Sequence, residues 1–523
     1  MGFRQGAFSA SGGTVKVLQL PPTFALVLPL VRQIGVAKIV DELCPIRQDA
    51  KLTHGQCVEF LLLHILQDNR RWPLYKLDKW AKRHNVGALY DSDAGCFNDS
   101  RIGRTLDELA PQTQDLHTRI VTAIVTHFDL PVRAVLWDLT HVTFEGAYEH
   151  SALVEAGHGH GRVNEKQIKV SLHADAETAL PVMYGALAGA TNQTPLAEGY
   201  LGELQKRLKR TDLIVVSDKA GISYDNIVAY QRDGGHFVGP LQTTPAEVAL
   251  MREPSAADFK ALAYRSASKP GERFMYWETS LPFQRQKHPQ PLNVPALVVY
   301  STQKHRDDLA RRDKDIAKAT AELDKVRVYL NKKGNYSKRA YALEQLPKKI
   351  KSEAQGIVRY ELLGEDKQLS LRHWIDEPAL AEAQRLDGRY LLVHNLTATP
   401  DEVFNLYKRQ HVVESCFRSF NSGLRVRPLW LHRDNRIEAL VFVWIVALTI
   451  FVLLGILAQR AGLSNEPYYH KLTPRAIIEI FDYLTVSEVT MPGHPPEHQL
   501  HLTDQIVEIL EALGLPDPHQ LLN

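Results

Sequence analysis

AVLWDLTHVTFEG (residues 134–146) is a run of apolar and β-branched residues closed by Glu145-Gly146 and interrupted by Asp138. Short runs of this kind, bounded by Gly, Asn or Pro, are strand chemistry. KQIKVSLHADAE (166–177) and LPVMYGALAG (180–189) share the texture. In TPLAEGYLGELQKRLKR (194–210) the period changes, and Leu196, Tyr200, Leu204 and Leu208 fall on one helical stripe. LIVVSDKAG (213–221) predicts a strand that stops at Ser217-Asp218. Residues 224–231 then predict a helix and HFVGPL (236–241) another strand. Strands alternating with helices in this order make an α/β core, neither all-helical nor all-β.

Outward from that core the texture differs on both sides. Residues 14–130 read as helical, with Thr53 placed to cap the helix over LTHGQCVEFLLLHILQD. Within them RRWPLYKLDKWAKRHN (70–85) interleaves basic residues with Trp72, Tyr75 and Trp80. Such a face suits phosphate contact, or equally a solvated helix with two core tryptophans. From 243 to 388 the alternation breaks: ERFMYWETSL and LNVPALVVYSTQ predict strands, and 304–331 a charged helix. RYLLVHNL resumes the core pattern at 389. The next helix begins after Thr399 as cap, Pro400 in the first turn and Asp401-Glu402 at the positive end of the helix dipole. The tail, 461–523, reads as helical with a break at MPGHPPEHQ. The expected domains are therefore a helical region 1–130, a split core 131–242 and 389–460, an insertion 243–388, and a helical tail.

A chain of 523 residues, 44% hydrophobic and 23% charged, buries a large core without disulfide or metal. Cys44, Cys57, Cys96 and Cys416 form no CxxC pair, which fits a reducing cytosol. The opening MGFRQGAFSASGG has no apolar signal region and lacks the serine or threonine of a myristoylation signal. Net charge is +2, from 62 Lys+Arg and 60 Asp+Glu, so the total argues for no partner. Its distribution is uneven. Residues 304–351 hold fifteen basic against seven acidic residues, an excess of +8, and the remainder of the chain carries −6. Residues 439–458 (ALVFVWIVALTIFVLLGILA) meet the length of a membrane span. A central helix buried on all sides has the same composition, and with no second span in the chain that is the expectation here.

Two acids stand where core strands meet polar chain, Asp138 and Asp218, and a third, Glu414, lies on a helix among Val412, Val413, Cys416 and Phe417. Any one of them could merely cap a turn. Three convergent carboxylates suit Mg²⁺ or Mn²⁺, hard cations that prefer oxygen ligands. Two such ions can activate water and stabilise the leaving oxygen of a phosphodiester.

The order of Asp in the first strand, Asp after a later strand and Glu on a late helix resembles the DDE transposases of bacterial insertion sequences. The likeness runs through WDLTHVTFEG, QIKVSLHADAETALPVMYGALAGATNQ, LIVVSDKAGISYDN, DGRYLLVHN and YKRQHVVESCFRSFNSGLRVRPLWLHRDNRIEALVFVWIVAL, and CFNDSRIGRTLDEL resembles the helical domain ahead of the core in one subgroup. It implies an RNase H-like core interrupted by a β-rich and helical insertion. It implies Asp138, Asp218 and Glu414 as catalytic, metal-holding residues, with two Mg²⁺ or Mn²⁺ ions per site. The spacings of 80 and 196 residues fit a group that inserts a domain between the second Asp and the Glu. Against the family's Tyr-x2-Arg-x3-Glu-x6-Lys signature, Tyr407 and Glu414 match. Position 410 is Gln, with Arg409 one residue early, and position 421 is Asn. Tyr407, Arg409, Arg418 and Arg425 are implied to contact DNA, Arg427 adds charge beside them, and Arg70, Arg71, Lys82 and Arg83 would help hold the ends.

The resemblance implies an enzyme that binds terminal inverted repeats, cuts the strand ends and joins the 3′-hydroxyls to target DNA. Cutting two ends together implies a homodimer or larger assembly, in the bacterial cytoplasm at the nucleoid and without a membrane. The altered positions 410 and 421 keep open an inactive DNA-binding relative. His158 and His160 in GHGHG (157–161) could bind Zn²⁺ or Ni²⁺ only with a further ligand. No P-loop, serine elbow or HExxH motif is present.

Overall fold

A computed structural model describes residues 14–18, 20–21, 23–46, 50–67, 72–159, 162–191, 200–219, 221–232, 234–241, 244–266, 269–285, 288–332, 334–420, 431–463, 472–494 and 497–522. The fold class is mixed α/β. The chain divides into two compact units, Met1–Val215 with Arg409–Asn523, and Val216–Lys408.

In the first unit the strand Ala134–Thr143 pairs antiparallel with Arg162–Asp175, which pairs in turn with Glu155–Gly159 and Pro181–Ala188. Ala134–Thr143, Arg162–Asp175 and Pro181–Ala188 are strands read from the sequence, whereas Glu155–Gly159 was not; Trp137 lies opposite His173 and Asp138 opposite Leu172. Val135, Leu136, Val170 and Leu172 are all buried. Among the described residues six α-helices precede this sheet: Phe24–Ile34, Val36–Leu43, His54–Leu66, Leu77–Arg83, Asp99–Leu109 and Thr113–His127. Thr53 does cap its helix: its hydroxyl accepts from Gln56 N, and the Gln56 side chain accepts from Thr53 N, satisfying two otherwise orphaned donors.

The apolar segment lies in the helix Asp434–Arg460, and 72% of its most apolar window is buried. It packs against the helices His54–Leu66, Asp99–Leu109, Thr113–His127 and Pro474–Ile480 and against the strand Pro181–Ala188. Thr449, the one polar side chain of the run, donates to the Ile445 carbonyl at 2.8 Å and so adds no unmet group. Charges fix the ends. Arg436 grips Asp107 through two bonds of 2.8 and 2.6 Å. Asp434 accepts from Ser151 Oγ and from the backbone N–H groups of Ala152 and Leu153. Arg460 donates to the carbonyls of Phe128 and Asp129.

The two ends of the chain differ from the sequence reading. Thr14–Leu18, expected to begin a helical stretch, is a strand. So are Thr485–Thr490 and Glu497–His501 of the tail, and the three form one antiparallel sheet, with Thr14 opposite Thr490 and Thr485 opposite His501. Each run is too short to announce a period, and the first finds its partner only at the far end of the chain. Non-local pairing of this kind leaves little local trace.

In the second unit an antiparallel sheet runs in the order His236–Pro240, Arg389–His394, His288–Ser301, Phe274–Arg285, Lys260–Ala261. Three strands from 243–388 thus share a sheet with the strand that resumes at 389. The long charged helix is Thr302–Tyr329. Its Ile316, Ala319, Leu323 and Val326 form a separate small core with Ala342, Leu346 and Ile350 and with the two-stranded ribbon Val358–Leu363 and Ser370–Ile375. Several basic residues of 304–351 pair with nearby acids, as Lys304–Asp308, Arg311–Glu353, Lys325–Glu322 and Lys348–Glu344.

Where this helix leaves the sheet, Arg312 and Asp387 form a buried ion pair. Beside it Asp308 accepts from Lys304, Arg311 and the Gly388 N–H. Gly388 has φ +77°, and a Cβ there would meet the Ser301 carbonyl at 2.8 Å, so only glycine fits this turn. Removing one partner of a buried pair leaves the other charge unmet. Asp387→Ala is therefore expected to lower stability by about 3–5 kcal/mol, measured by denaturant unfolding; a loss below about 1 kcal/mol would contradict that role for the pair.

Candidate active site

Asp138 is half-buried on its strand, directly after the buried Trp137, and its Oδ1 accepts from Leu139 N at 2.7 Å. The helix His411–Arg418 packs on that strand and on Arg162–Asp175. Val413, Cys416 and Phe417 form its buried face, followed by Phe420, while Glu414 and Arg418 are exposed. One unit therefore brings the Asp138 strand and the Glu414 helix into contact.

Arg409 donates to the Ala176 carbonyl at 3.2 Å, and Cys416 Sγ donates to the Ala179 carbonyl at 3.3 Å. Both acceptors lie in the turn after Asp175. That buried carboxylate accepts from the N–H groups of Glu177 and Thr178 and from Thr178 Oγ, and burial raises its pKa above the usual carboxylate value. Burial pushes the Cys416 thiol up to about 12.

Asp218 and Tyr407 belong to the other unit. Asp218 is half-buried and follows the strand Ile214–Ser217, as the sequence implied, and its carbonyl accepts from Gly221 N at 3.2 Å. Tyr407 lies near the end of the helix Pro400–Lys408, half-buried, with its ring 6.3 Å from that of Tyr390. The Lys408 ammonium stands 4.3 Å from the Phe274 ring centroid, 5.3 Å from Phe404 and 5.9 Å from Tyr407. Burial lowers its pKa, and the ring faces offer partial compensation for the lost water. Lys408 was not singled out in the sequence; Phe404 and Tyr407 are its near neighbours along the chain, and only the fold brings Phe274 to it.

Among the described residues no group of three or more His, Cys, Asp or Glu side chains is gathered closely enough to hold a metal ion. The donor types suit Mg²⁺ or Mn²⁺; Asp138 and Glu414 lie in one unit and Asp218 in the other. Arg70, Arg71, Arg425, Arg427, Asn421 and His160 lie outside the described residues. His158 falls in the strand Glu155–Gly159.

In the helical region Lys82 and Arg83 are exposed at the end of Leu77–Arg83, and Lys82 is 4.0 Å from Asp78. Lys79 is exposed on the same helix, and Tyr75 is 66% exposed with the Lys76 ammonium 5.3 Å from its ring centroid. Trp80 instead belongs to the core, against Phe60, His64 and His84. The basic-aromatic stretch is thus part surface and part core.

Comparison with known proteins gives two kinds of match. Residues 18–122 match a family described as "Domain of unknown function (DUF4277)". No curated protein sequence matches the chain. Among solved structures, the piggyBac transposase synaptic complex with hairpin DNA is similar over 90% of this chain and 82% of that one, at 11% identity and a TM-score of 0.40. The Mos1 transposase paired-end complex with left transposon end is similar over 32% of this chain and 59% of that one, at 10% identity and a TM-score of 0.15.

The same unit buries two histidines, His173 on the strand beside that of Asp138 and His117 on the helix Thr113–His127. His173 stacks near Trp137, and His117 meets the Tyr184 ring at 4.9 Å with neither ring nitrogen hydrogen-bonded. Burial first, and the Arg207 charge second, lower both to about 3. The folded form refuses a proton that the unfolded chain accepts below about pH 6.5. Stability is therefore full above that pH and falls as pH drops from about 6.5 toward 3, by about 1.4 kcal/mol per pH unit for each histidine. His117→Gln removes one such contribution. Its destabilisation relative to wild type should shrink by about 1.4 kcal/mol between pH 7.5 and 5.5 in urea unfolding, and a constant difference would contradict a neutral buried His117.

Proposed function

We propose that this chain is a DNA transposase of the DDE type with an RNase H-like core, encoded by a bacterial insertion sequence. It binds the element's terminal inverted repeats, cuts the strand ends and transfers the 3′-hydroxyls to target DNA. The observation that carries the proposal is the packing of the Glu414 helix on the strand of Asp138, in a chain whose motifs around Asp138, Asp218 and Glu414 follow the order of that family.

In this reading Asp138, Asp218 and Glu414 would hold divalent metal, two Mg²⁺ or Mn²⁺ ions in each active site. Bound there, the metal would activate the attacking oxygen and stabilise the leaving one. The chain's own residues bind and orient DNA. Tyr407, Arg418 and Arg425 meet the strand near the scissile phosphate, and Arg70, Arg71, Lys82 and Arg83 hold flanking backbone with Lys79 and Tyr75 beside them. Electrostatic contact of this kind fixes position rather than sequence. Two ends cut together call for a homodimer or larger assembly, working in the cytoplasm at the nucleoid. The helix Asp434–Arg460 then serves as core, and the protein is expected to be recovered without detergent; fractionation with membranes would contradict this.

A second reading is an inactive DNA-binding relative. Gln410 and Asn421 favour it.

The two readings separate on inverted-repeat DNA taken from the sequence flanking the gene. With Mg²⁺, the wild type should cut at the element ends, and Asp138→Asn, Asp218→Asn and Glu414→Gln should each lower the rate by at least about 10³-fold while still binding. That magnitude is on the order of what loss of a group acting only in the transition state costs. Cutting by Asp218→Asn at the wild-type rate would refute the metal assignment, and binding without cutting by the wild type would establish the inactive relative. Lys82→Ala with Arg83→Ala should reduce the salt slope of binding by about two; an unchanged slope would remove that helix from the interface.

A further inference from the structure

The Glu414 helix is tied at two points to one turn. Arg409, just ahead of the helix, reaches the Ala176 carbonyl, and Cys416 reaches the Ala179 carbonyl. Positions 409, 413 and 416 share a helical face at i, i+4, i+7 spacing, and Val413 between the two anchors is fully buried. Val412 N also donates to the Arg409 carbonyl at 2.8 Å, so the backbone is already turning helically at Arg409.

The receiving turn is itself fixed. Asp175 holds the N–H groups of Glu177 and Thr178, and Ala179 N donates to the Asp175 carbonyl at 2.9 Å. Ala176 N donates to the Ala134 carbonyl at 2.8 Å, on the strand that carries Asp138. Ala176 therefore joins the Asp138 strand through its N–H and the Glu414 helix through its C=O. Glu414 lies one residue, about 100° of rotation, beyond Val413 on the helix. A roll or slide of the helix would therefore shift Glu414 relative to the strand that carries Asp138.

We infer that Arg409 and Cys416 are positioning residues for Glu414, and that the Arg409 guanidinium serves the Ala176 carbonyl instead of a DNA phosphate. This departs from the role that the family resemblance implied for Arg409, and it rests on the assignment of Glu414 above. An arginine placed one residue early in the signature is placed to hold the helix.

The test uses the full-length chain and the variants Arg409→Ala, Arg409→Lys, Cys416→Ala and Cys416→Ser. Three quantities are read: hydrogen exchange of the amides of residues 411–418, the salt slope of binding to duplex DNA, and the single-turnover rate of end cleavage. For Arg409→Ala we expect the salt slope to stay unchanged, exchange across 411–418 to rise about tenfold and cleavage to slow about tenfold, the scale of one lost charged hydrogen bond. Arg409→Lys and Cys416→Ser, which retain a donor, should recover part of both changes, and Cys416→Ala should resemble Arg409→Ala more weakly. A salt slope lowered by about one, with exchange unaltered, would overturn the inference and make Arg409 a phosphate contact. If the wild type fails to cut DNA, the transposase proposal falls, while exchange and salt slope still decide whether Arg409 holds the helix.

Discussion

The burial of the helix Asp434–Arg460 is the constraint on which the first unit depends. Its surface is apolar on every side, so it is stable only where every side is covered. The helices His54–Leu66, Asp99–Leu109, Thr113–His127 and Pro474–Ile480 and the strand Pro181–Ala188 provide that cover. Elements from the beginning, middle and end of the chain are thereby held in one core. Asp434 and Arg436 add direction to a contact that hydrophobicity alone would leave free to rotate or slide. Asp434 collects the Ser151–Leu153 loop, and Arg436 grips Asp107. The sheet carrying Asp138 is fixed from one side by this helix, through the strand Pro181–Ala188, and the helix His411–Arg418 packs on two of its other strands.

Legibility from sequence followed the range of the interactions involved. The strand Ala134–Thr143 and the helices Tyr224–Arg232 and Pro400–Lys408 were readable because composition, caps and period are local. Thr53 and Thr399 announced helix starts that the structure has, each with its reciprocal partner, Gln56 and Glu402. The strands Thr14–Leu18 and Thr485–Thr490 were not readable, because each is short and its partner lies at the opposite end of the chain. The Arg312–Asp387 pair was hidden for a related reason: the two residues look like ordinary surface charges until the long helix is set against the sheet. The charge pattern was half legible. The basic excess over 304–351 is present, but most of its ion pairs close within the helix and the segment that wraps it.

The site divides in the same way. Sequence order picks out Asp138, Asp218 and Glu414 and places two of them at strands and one on a helix, where the structure also has them. Sequence could not show what holds the Glu414 helix. The carbonyls of Ala176 and Ala179 are anonymous until the turn is folded, and nothing about Arg409 in isolation separates a helix anchor from a phosphate contact. The Lys408 ammonium among Phe274, Phe404 and Tyr407 is a similar case, because the ring nearest to it, Phe274, comes from a distant part of the chain. Carboxylates advertise chemistry by their type, whereas the residues that position them are visible only through what they touch.

The central claim is that the chain joins DNA ends, and strand transfer tests it most directly. Purified protein would be incubated with Mg²⁺, a labelled duplex ending in the element's inverted repeat, and a supercoiled plasmid as target. The proposed function requires covalent products in which the 3′-hydroxyl of the labelled end is joined to plasmid DNA, lost when Asp218 is replaced by Asn. Products absent from the wild type, or formed equally by the Asp218→Asn variant, would contradict it.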